Sequence, residues 1–246
     1  MSKIPFKVSA RTARLIGREN IASSKGAIIE LVKNAYDADS ELCLIYFDNK
    51  YSELPDKLVE EDFKNFDSIA VSREDIDRLY PSESGGKLCI CEEDEQFAKD
   101  FLSRISKLNS LYIVDFGDGM NSQIIRDNWM VIGTDSKASD IFTSGGRIKS
   151  GAKGIGRFAL DKLGNLATMT TVFDKNVLSQ DLDEKGVETG NDGYIWNVRW
   201  SDFEGEFKTI DRVYADLSAI NGKDIFELID EELPKDLISS SRKKKL

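Results

Sequence analysis

Glu30-Leu31-Val32-Lys33-Asn34-Ala35-Tyr36-Asp37-Ala38-Asp39 is the stretch from which the fold is read. Offsets of four and three put Glu30, Asn34 and Asp37 on one helical face, because side chains at those spacings stand above one another. The other face is apolar: Ile28, Ile29, Val32, Ala35 and Tyr36. The pattern predicts a helix from about Ser24 to Ala38. A carboxylate, an amide and a second carboxylate on one stripe suit a metal ion or acid–base chemistry. A solvated face of an ordinary amphipathic helix carries such residues too, and two glycine-rich elements downstream decide between the readings.

The chain has 246 residues, 40% of them hydrophobic, enough for one large domain or two small ones with a sizeable core. A net charge of −10 gives nucleic acid no overall attraction, so direct nucleic-acid binding is not favoured. The local basic run Arg242-Lys243-Lys244-Lys245 reads as a solvated end. Histidine is absent, which excludes His-based metal sites, Ser-His and Cys-His nucleophile pairs, and a phospho-accepting histidine within the chain. Cys89-Ile90-Cys91 lacks a second pair, so a zinc site is not expected. Few cysteines, no signal peptide and no long apolar run point to a reducing, cytoplasmic setting without a membrane partner.

Along the chain, Leu42–Phe47 reads as a buried strand after the first helix. The segment at about 50–109 is rich in charge, contains Pro55 and Pro81, and suggests helices near 59–66, 73–80 and 95–108. It is read as a surface insertion. A strand at Leu111–Asp115 then runs into Phe116-Gly117-Asp118-Gly119-Met120, and a helix is expected from about Ser122 to Met130. A loop rich in Gly, Ser, Lys and Asp covers 133–153, and Gly154-Ile155-Gly156-Arg157-Phe158 opens a helix to about Leu163. Strands are expected at 167–173, 193–200 and 208–215, and helix at 225–241. Helices and strands mix without a βαβ rhythm, so the fold class is α+β. Trp129, Trp196 and Trp200 read as core residues, and the run Glu92–Glu95 as a solvated turn.

Three motifs carry chemistry. Asp115 ends an apolar strand, and a buried carboxylate there needs a donor such as the exocyclic amine of adenine. Gly117 and Gly119 leave room for a flat base, and Met120 offers a soft surface beside it. Gly151-Ala152-Lys153-Gly154-Ile155-Gly156 frees several backbone N–H groups before a helix, a cradle for an anion. It lacks the Gly-Lys-[Ser/Thr] ending of a Walker A loop, and no long strand feeds it as a Rossmann fingerprint requires. The long loop before it suits a lid. On the first helix, the Asn34 amide oxygen suits magnesium, Glu30 suits accepting a proton from water that attacks a γ-phosphate, and Asp37 suits ordering waters or orienting Asn34.

The order and wording of these blocks resemble the GHKL ATPase superfamily: gyrase B subunits, heat-shock-90 chaperones, histidine kinases and MutL. Glu30–Asp39 matches the N-box, Asp115–Met120 the adenine box and Gly151–Phe158 the phosphate-lid box. Trp129–Lys137 is similar to the segment before the lid in bacterial heat-shock-90-like and MORC-like proteins. The resemblance implies a two-layer α/β sandwich, its mixed and mostly antiparallel sheet carrying helices on one face. It also implies ATP and Mg2+ as ligands. In that reading Glu30 is the general base, Asn34 holds magnesium, and Asp37 and Ala38 border the site. Asp115, Gly117, Gly119 and Met120 receive the base. Gly154 and Gly156 cradle the phosphates, Thr134, Ile155, Arg157 and Phe158 belong to the nucleotide site, and charge and position add Lys137 and Lys153 as phosphate contacts.

A glutamate at position 30 fits hydrolysis by water, whereas histidine kinases usually carry a non-acidic residue there. The resemblance therefore implies slow Mg-dependent ATP hydrolysis that drives lid closure and homodimerisation, with an unknown client. A non-hydrolysing ATP-sensing module and a phosphotransfer domain are the alternatives. Two departures stand out: the 50–109 insertion is long for the superfamily, and no Gly-Thr strand follows the lid. The expectation is a single domain over 1–246 that forms the N-terminal part of a longer protein.

Overall fold

A computed structural model describes residues 5–19, 21–132, 141–150, 156–178, 181–183, 185–221 and 227. The chain divides into two compact units, one formed by Met1–Leu44 with Ile113–Leu246 and the other by Ile45–Tyr112. The stretch 50–109 lies wholly within the second. The described residues are α+β, with helices α1 (Ala10–Glu19), α2 (Ser24–Asp37), α3 (Glu60–Ser68), α4 (Arg73–Leu79), α5 (Glu95–Ile105) and α6 (Ser122–Ile124). Strands are β1 (Cys43–Asp48), β2 (Ser110–Asp115), β3 (Leu166–Val172), β4 (Gly193–Arg199) and β5 (Asp216–Ile220).

The single sheet expected from the resemblance is divided among these residues: β1 pairs with β2, and β3–β4–β5 form a separate antiparallel sheet. Period-two alternation explains the second sheet. Tyr194, Trp196 and Val198 of β4 turn inward and stand opposite Thr171, Met169 and Ala167 of β3. On the outer face Thr168 and Asn197 pair side by side, 2.7 Å apart. The inward residues join Ala10, Ile125, Phe158, Phe173, Trp200 and Phe203 in one core. Trp129 meets Trp196 edge-on at 5.7 Å, so the tryptophans are core residues as their sequence context suggests.

Three expected elements differ. The 208–215 strand is replaced by a 3-10 turn, Ile210–Arg212, and pairing starts at Asp216, where alternation against Trp196 and Tyr194 begins. The helix expected at 122–130 is one α turn followed by a π turn, Ile125–Trp129, whose i+5 bond runs from the Met130 amide to the Ile125 carbonyl. The helix expected to run to about Leu163 is a 3-10 helix, Gly156–Lys162. The helix expected at 225–241 falls, apart from Glu227, outside the described residues.

The second unit has its own core, in which Phe66, Leu79, Phe101 and Ile105 of the three helices are fully buried. Helices α3 and α4 start where side chains bond the free amides: Asp62 accepts the Val59 amide at 2.8 Å, and Ser72 accepts the Asp75 amide at 3.1 Å. Asp62 is buried and also takes the Tyr51 hydroxyl at 2.7 Å and the Lys50 ammonium at 2.9 Å.

Helix α1 has no counterpart among the sequence expectations. Ser9 caps it by accepting the Thr12 amide at 3.1 Å, and the buried methyls of Ala10 and Ala13 let it approach closely. It packs on the 156–162 turn, which α2 also meets. The clamp is Arg14, whose Nε and Nη2 reach Asp161 at 2.8 and 2.6 Å while Nη1 donates to Glu204 at 2.7 Å. The Asp161 side chain is only 1% exposed. Its hydrogen bonds, ahead of an opposing effect of burial, hold the Arg14 guanidinium above its ordinary range. Removing one partner strands a buried charge. Arg14→Ala should therefore lower the unit's stability by about 3 kcal/mol. Tryptophan fluorescence during urea unfolding reads this directly, since all three tryptophans lie in this unit. A loss below about 0.5 kcal/mol, the usual size of surface effects, would contradict the clamp.

Candidate functional site

Ser23 starts α2 by accepting the Gly26 amide at 3.1 Å, and Ala38 caps its end. The helix buries Ala27 and Ala35, while Ile28 and Val32 are half-buried. Ile29 and Tyr36, expected on the apolar face, are instead 45% and 44% exposed. Glu30 is half-buried, and its Oε1 receives the Lys33 ammonium at 2.7 Å. Asn34 keeps its side-chain amide without a partner among the described residues; its carbonyl receives the Ala38 amide at 3.0 Å. The Asp37 carboxylate turns to Ser150, whose amide and hydroxyl donate to Oδ1 at 2.7 and 2.9 Å.

The Asp115–Met120 turn corrects the expectation in three respects. Asp115 is exposed, not buried, and its Oδ1 accepts the Gly117 amide at 2.9 Å. The space beside the glycines is filled by the protein itself. A Cβ on Gly117 would lie 2.5 Å from the Ala38 carbonyl oxygen, and one on Gly119 would lie 1.8 Å from that of Val172. Met120 packs against the core of the three-stranded sheet. The turn is stapled on both sides. Ala38 accepts the Asp118 amide at 2.8 Å, and Ser40 Oγ accepts that of Phe116 at 2.8 Å. Thr171 Oγ1 accepts the Met120 amide at 2.9 Å, and the Asp118 carbonyl accepts the Asp174 amide at 2.9 Å.

Segment 141–150 folds back on itself through an isolated bridge between Phe142 and Ile148, with Gly146 at φ 82° in the bend. Asp39, a non-glycine residue at φ 59°, holds it. Its carboxylate accepts the hydroxyls of Thr143 and Ser144 at 2.7 and 2.8 Å and the Gly145 amide. The Thr143 hydroxyl is the largest cause holding the Asp39 carboxyl below its ordinary range; burial opposes it, and Gly145, Ser144 and Arg147 add to it. The Ser144 hydroxyl also lies within hydrogen-bond reach of Asp118, so its single proton is shared between the two carboxylates. Asp39, Asp118, Thr143 and Thr171 were not singled out as site residues. The Ser-Gly-Gly turn at 144–146 is the one local signal that points to them.

Arg157 and Phe158, expected in the nucleotide site, are engaged by the protein itself. Arg157 is 9% exposed and donates to the carbonyls of Asn128 and Val131, closing the end of the π turn. Burial pushes its guanidinium down to about 10. Phe158 packs on Trp200 and Phe203. Both line an apolar cavity of about 70 Å3 with Trp196 and Val213, small beside the ~300 Å3 from which ligand sites start. Gly156 opens the 3-10 turn. Thr134, Lys137, Lys153, Gly154 and Ile155 lie outside the described residues.

The first two blocks therefore meet at the end of α2 together with the 141–150 segment, while the described part of the third, Gly156 to Phe158, packs elsewhere. Glu30 and Asn34 leave oxygen acceptors half-open, and Asp115 adds an exposed carboxylate. Such groups suit a hard cation or a proton transfer. No protein-family model matches this sequence, and no curated protein matches it.

The staple makes a sharp demand on Gly119, which sits at φ 72° against Val172. Gly119→Ala should cost more than ~2 kcal/mol, since a left-handed residue alone costs about 1–2 and the clash adds to it. Gly146→Ala shares the left-handed backbone but meets open space, and should cost only about 1 kcal/mol. Equal losses in fluorescence-monitored unfolding would contradict the close approach.

Proposed function

We propose that this chain is an ATP-binding domain of the GHKL type that hydrolyses Mg-ATP slowly. The supporting observation is the meeting at one helix end of two of the motifs, Glu30–Asp39 and Asp115–Met120, with the 141–150 segment: Ala38 with Gly117 and Asp118, Asp39 with Thr143 to Gly145, and Asp37 with Ser150. Chance placement of solvated polar residues gives no reason for such convergence. Within this reading Asn34 holds magnesium through its amide oxygen, and Asp115 receives the adenine amine through its exposed carboxylate. Glu30 takes the proton of the attacking water. The glycine-rich loop 151–158 supplies backbone N–H groups to the phosphates.

The proposed fold is the two-layer sandwich of that superfamily, and the proposed output is ATP-dependent homodimerisation toward a client. A reducing, cytoplasmic setting suits the free thiols of Cys89 and Cys91, both exposed. No helix among the described residues is long and apolar enough to cross a membrane.

A second reading, ATP sensing without turnover, draws on the ion pair between Glu30 and Lys33 at 2.7 Å. An oxygen held by the Lys33 ammonium is already engaged and is not free to meet an attacking water. Phosphate release separates the two readings. Glu30→Ala should reduce turnover by about 100-fold or more while ATP affinity stays within about threefold, as expected when a catalytic rather than a binding group is removed. Wild-type binding without any turnover would favour the sensor. Asp115→Asn should weaken Mg-ATP binding by at least about tenfold in calorimetry, since a hydrogen bond to a charged group is lost. Unchanged affinity would remove Asp115 from the base site.

A further inference from the structure

Trp196 and Val198 of β4 face an apolar cavity of about 70 Å3, with Trp129, Trp200 and Phe158 as further walls. Tyr214, 78% exposed, brings its mouth to the surface. Several polar groups of these walls lack the partner that burial demands. The indole nitrogens of Trp129 and Trp200 are buried, and neither N–H has an acceptor among the described residues. Trp200 as a whole is only 3% exposed. The Trp196 indole meets nothing better than the Met130 sulfur at 3.2 Å, a weak acceptor.

Arg157, on the same wall, adds a buried guanidinium. It donates to the carbonyls of Asn128 and Val131 and lies 5.9 Å from the Trp129 ring centre and 5.8 Å from that of Phe158. Burial is the one cause of its lowered pKa, and no carboxylate pairs with it among the described residues. Buried donors are almost always met in folded proteins, and buried charges are paired. Water is the ordinary occupant of such a place. It brings hydrogens that need acceptors, however, and these walls offer donors and apolar carbon. An anionic group needs donors alone.

We propose that this cavity binds a short-chain carboxylate. Its oxygens take the indole N–H groups of Trp129 and Trp200 and the Arg157 guanidinium, while its alkyl part lies against the aromatic walls. The volume is little more than twice the ~30 Å3 that one water occupies in the liquid. It admits acetate or propionate and excludes a nucleotide. The proposal stands independently of the ATP-binding reading.

Titration of the isotope-labelled chain with acetate and propionate, read on the indole N–H resonances, tests the site. Trp129→Phe, Trp196→Phe and Trp200→Phe assign the three signals. Saturable shifts are expected at Trp129 and Trp200, with a Kd for propionate of about 1 mM or tighter. Propionate should bind about fourfold more tightly than acetate, because it buries one more methylene. Chloride lacks the alkyl part, propylammonium reverses the charge and propan-1-ol removes it. Each should bind at least about tenfold more weakly than propionate.

Arg157→Gln should raise the Kd for propionate at least about tenfold, since a hydrogen bond between charged groups is lost. Should that variant fail to fold, Ala215→Leu decides. It fills the cavity from a half-buried position and leaves every donor in place. It too should raise the Kd at least about tenfold, by overpacking the site. An absence of indole shifts up to about 50 mM propionate leaves water as the acceptor and overturns the proposal. Unchanged affinity in either folded variant places the ligand elsewhere and overturns it as well. Propan-1-ol bound as tightly as propionate removes the anion from the account.

Discussion

The close approach of Gly117 to Ala38 is the constraint on which the candidate site depends. Helix α2 ends at Asp37, and the Ala38 carbonyl just beyond it receives the Asp118 amide instead of water. A side chain at 117 would occupy the place of that carbonyl. The contact converts a helix end into a junction. On one side Gly119 and Met120 are bonded or packed onto the end of β3, and on the other Asp39 gathers the 141–150 segment. Backbone polar groups that a loop would otherwise present to solvent are satisfied by neighbouring loops, which gives the junction a defined geometry.

This arrangement changes the meaning of the glycines. In the sequence they read as room for a flat ligand, whereas in the fold they admit the protein's own backbone. A glycine-rich motif records only that something approaches closely; it does not say what. A similar exchange of roles affects Asp37 and Asp39, the first bound to Ser150 and the second holding residues 143–145. Both lie on the stretch that singled out the site, yet their partners are more than a hundred positions away in the chain.

Local pattern made α2, the α3–α5 helices and strands β1 to β4 legible to within a few residues, because each has a clear period or cap. The α1 helix escaped, since its amphipathic signal is a short run of alanines and arginines whose meaning comes from Asp161, far along the chain. Strand β5 was displaced because Lys208–Ala215 has β-forming residues but lacks alternation against β4. Within the site, Glu30, Asn34 and Asp115 were legible as residue types in a helical or strand-end setting. The burial of Arg157 was not: an arginine beside glycines reads as a phosphate ligand, and its capture by the carbonyls of Asn128 and Val131 is a tertiary event. Asp115, expected to be buried, is exposed in the fold, its Oδ1 accepting the Gly117 amide two residues on.

The central claim is that the junction at the end of α2 receives Mg-ATP. Amide chemical shifts of the wild-type chain during titration with Mg-ATP test it most directly. Binding at this junction predicts saturable shifts concentrated at Asn34, Asp115 to Met120 and Thr171, the residues of the junction and its staple. An absence of shifts up to millimolar nucleotide, about the weakest affinity a working site has, would contradict it. So would shifts confined to residues away from this junction.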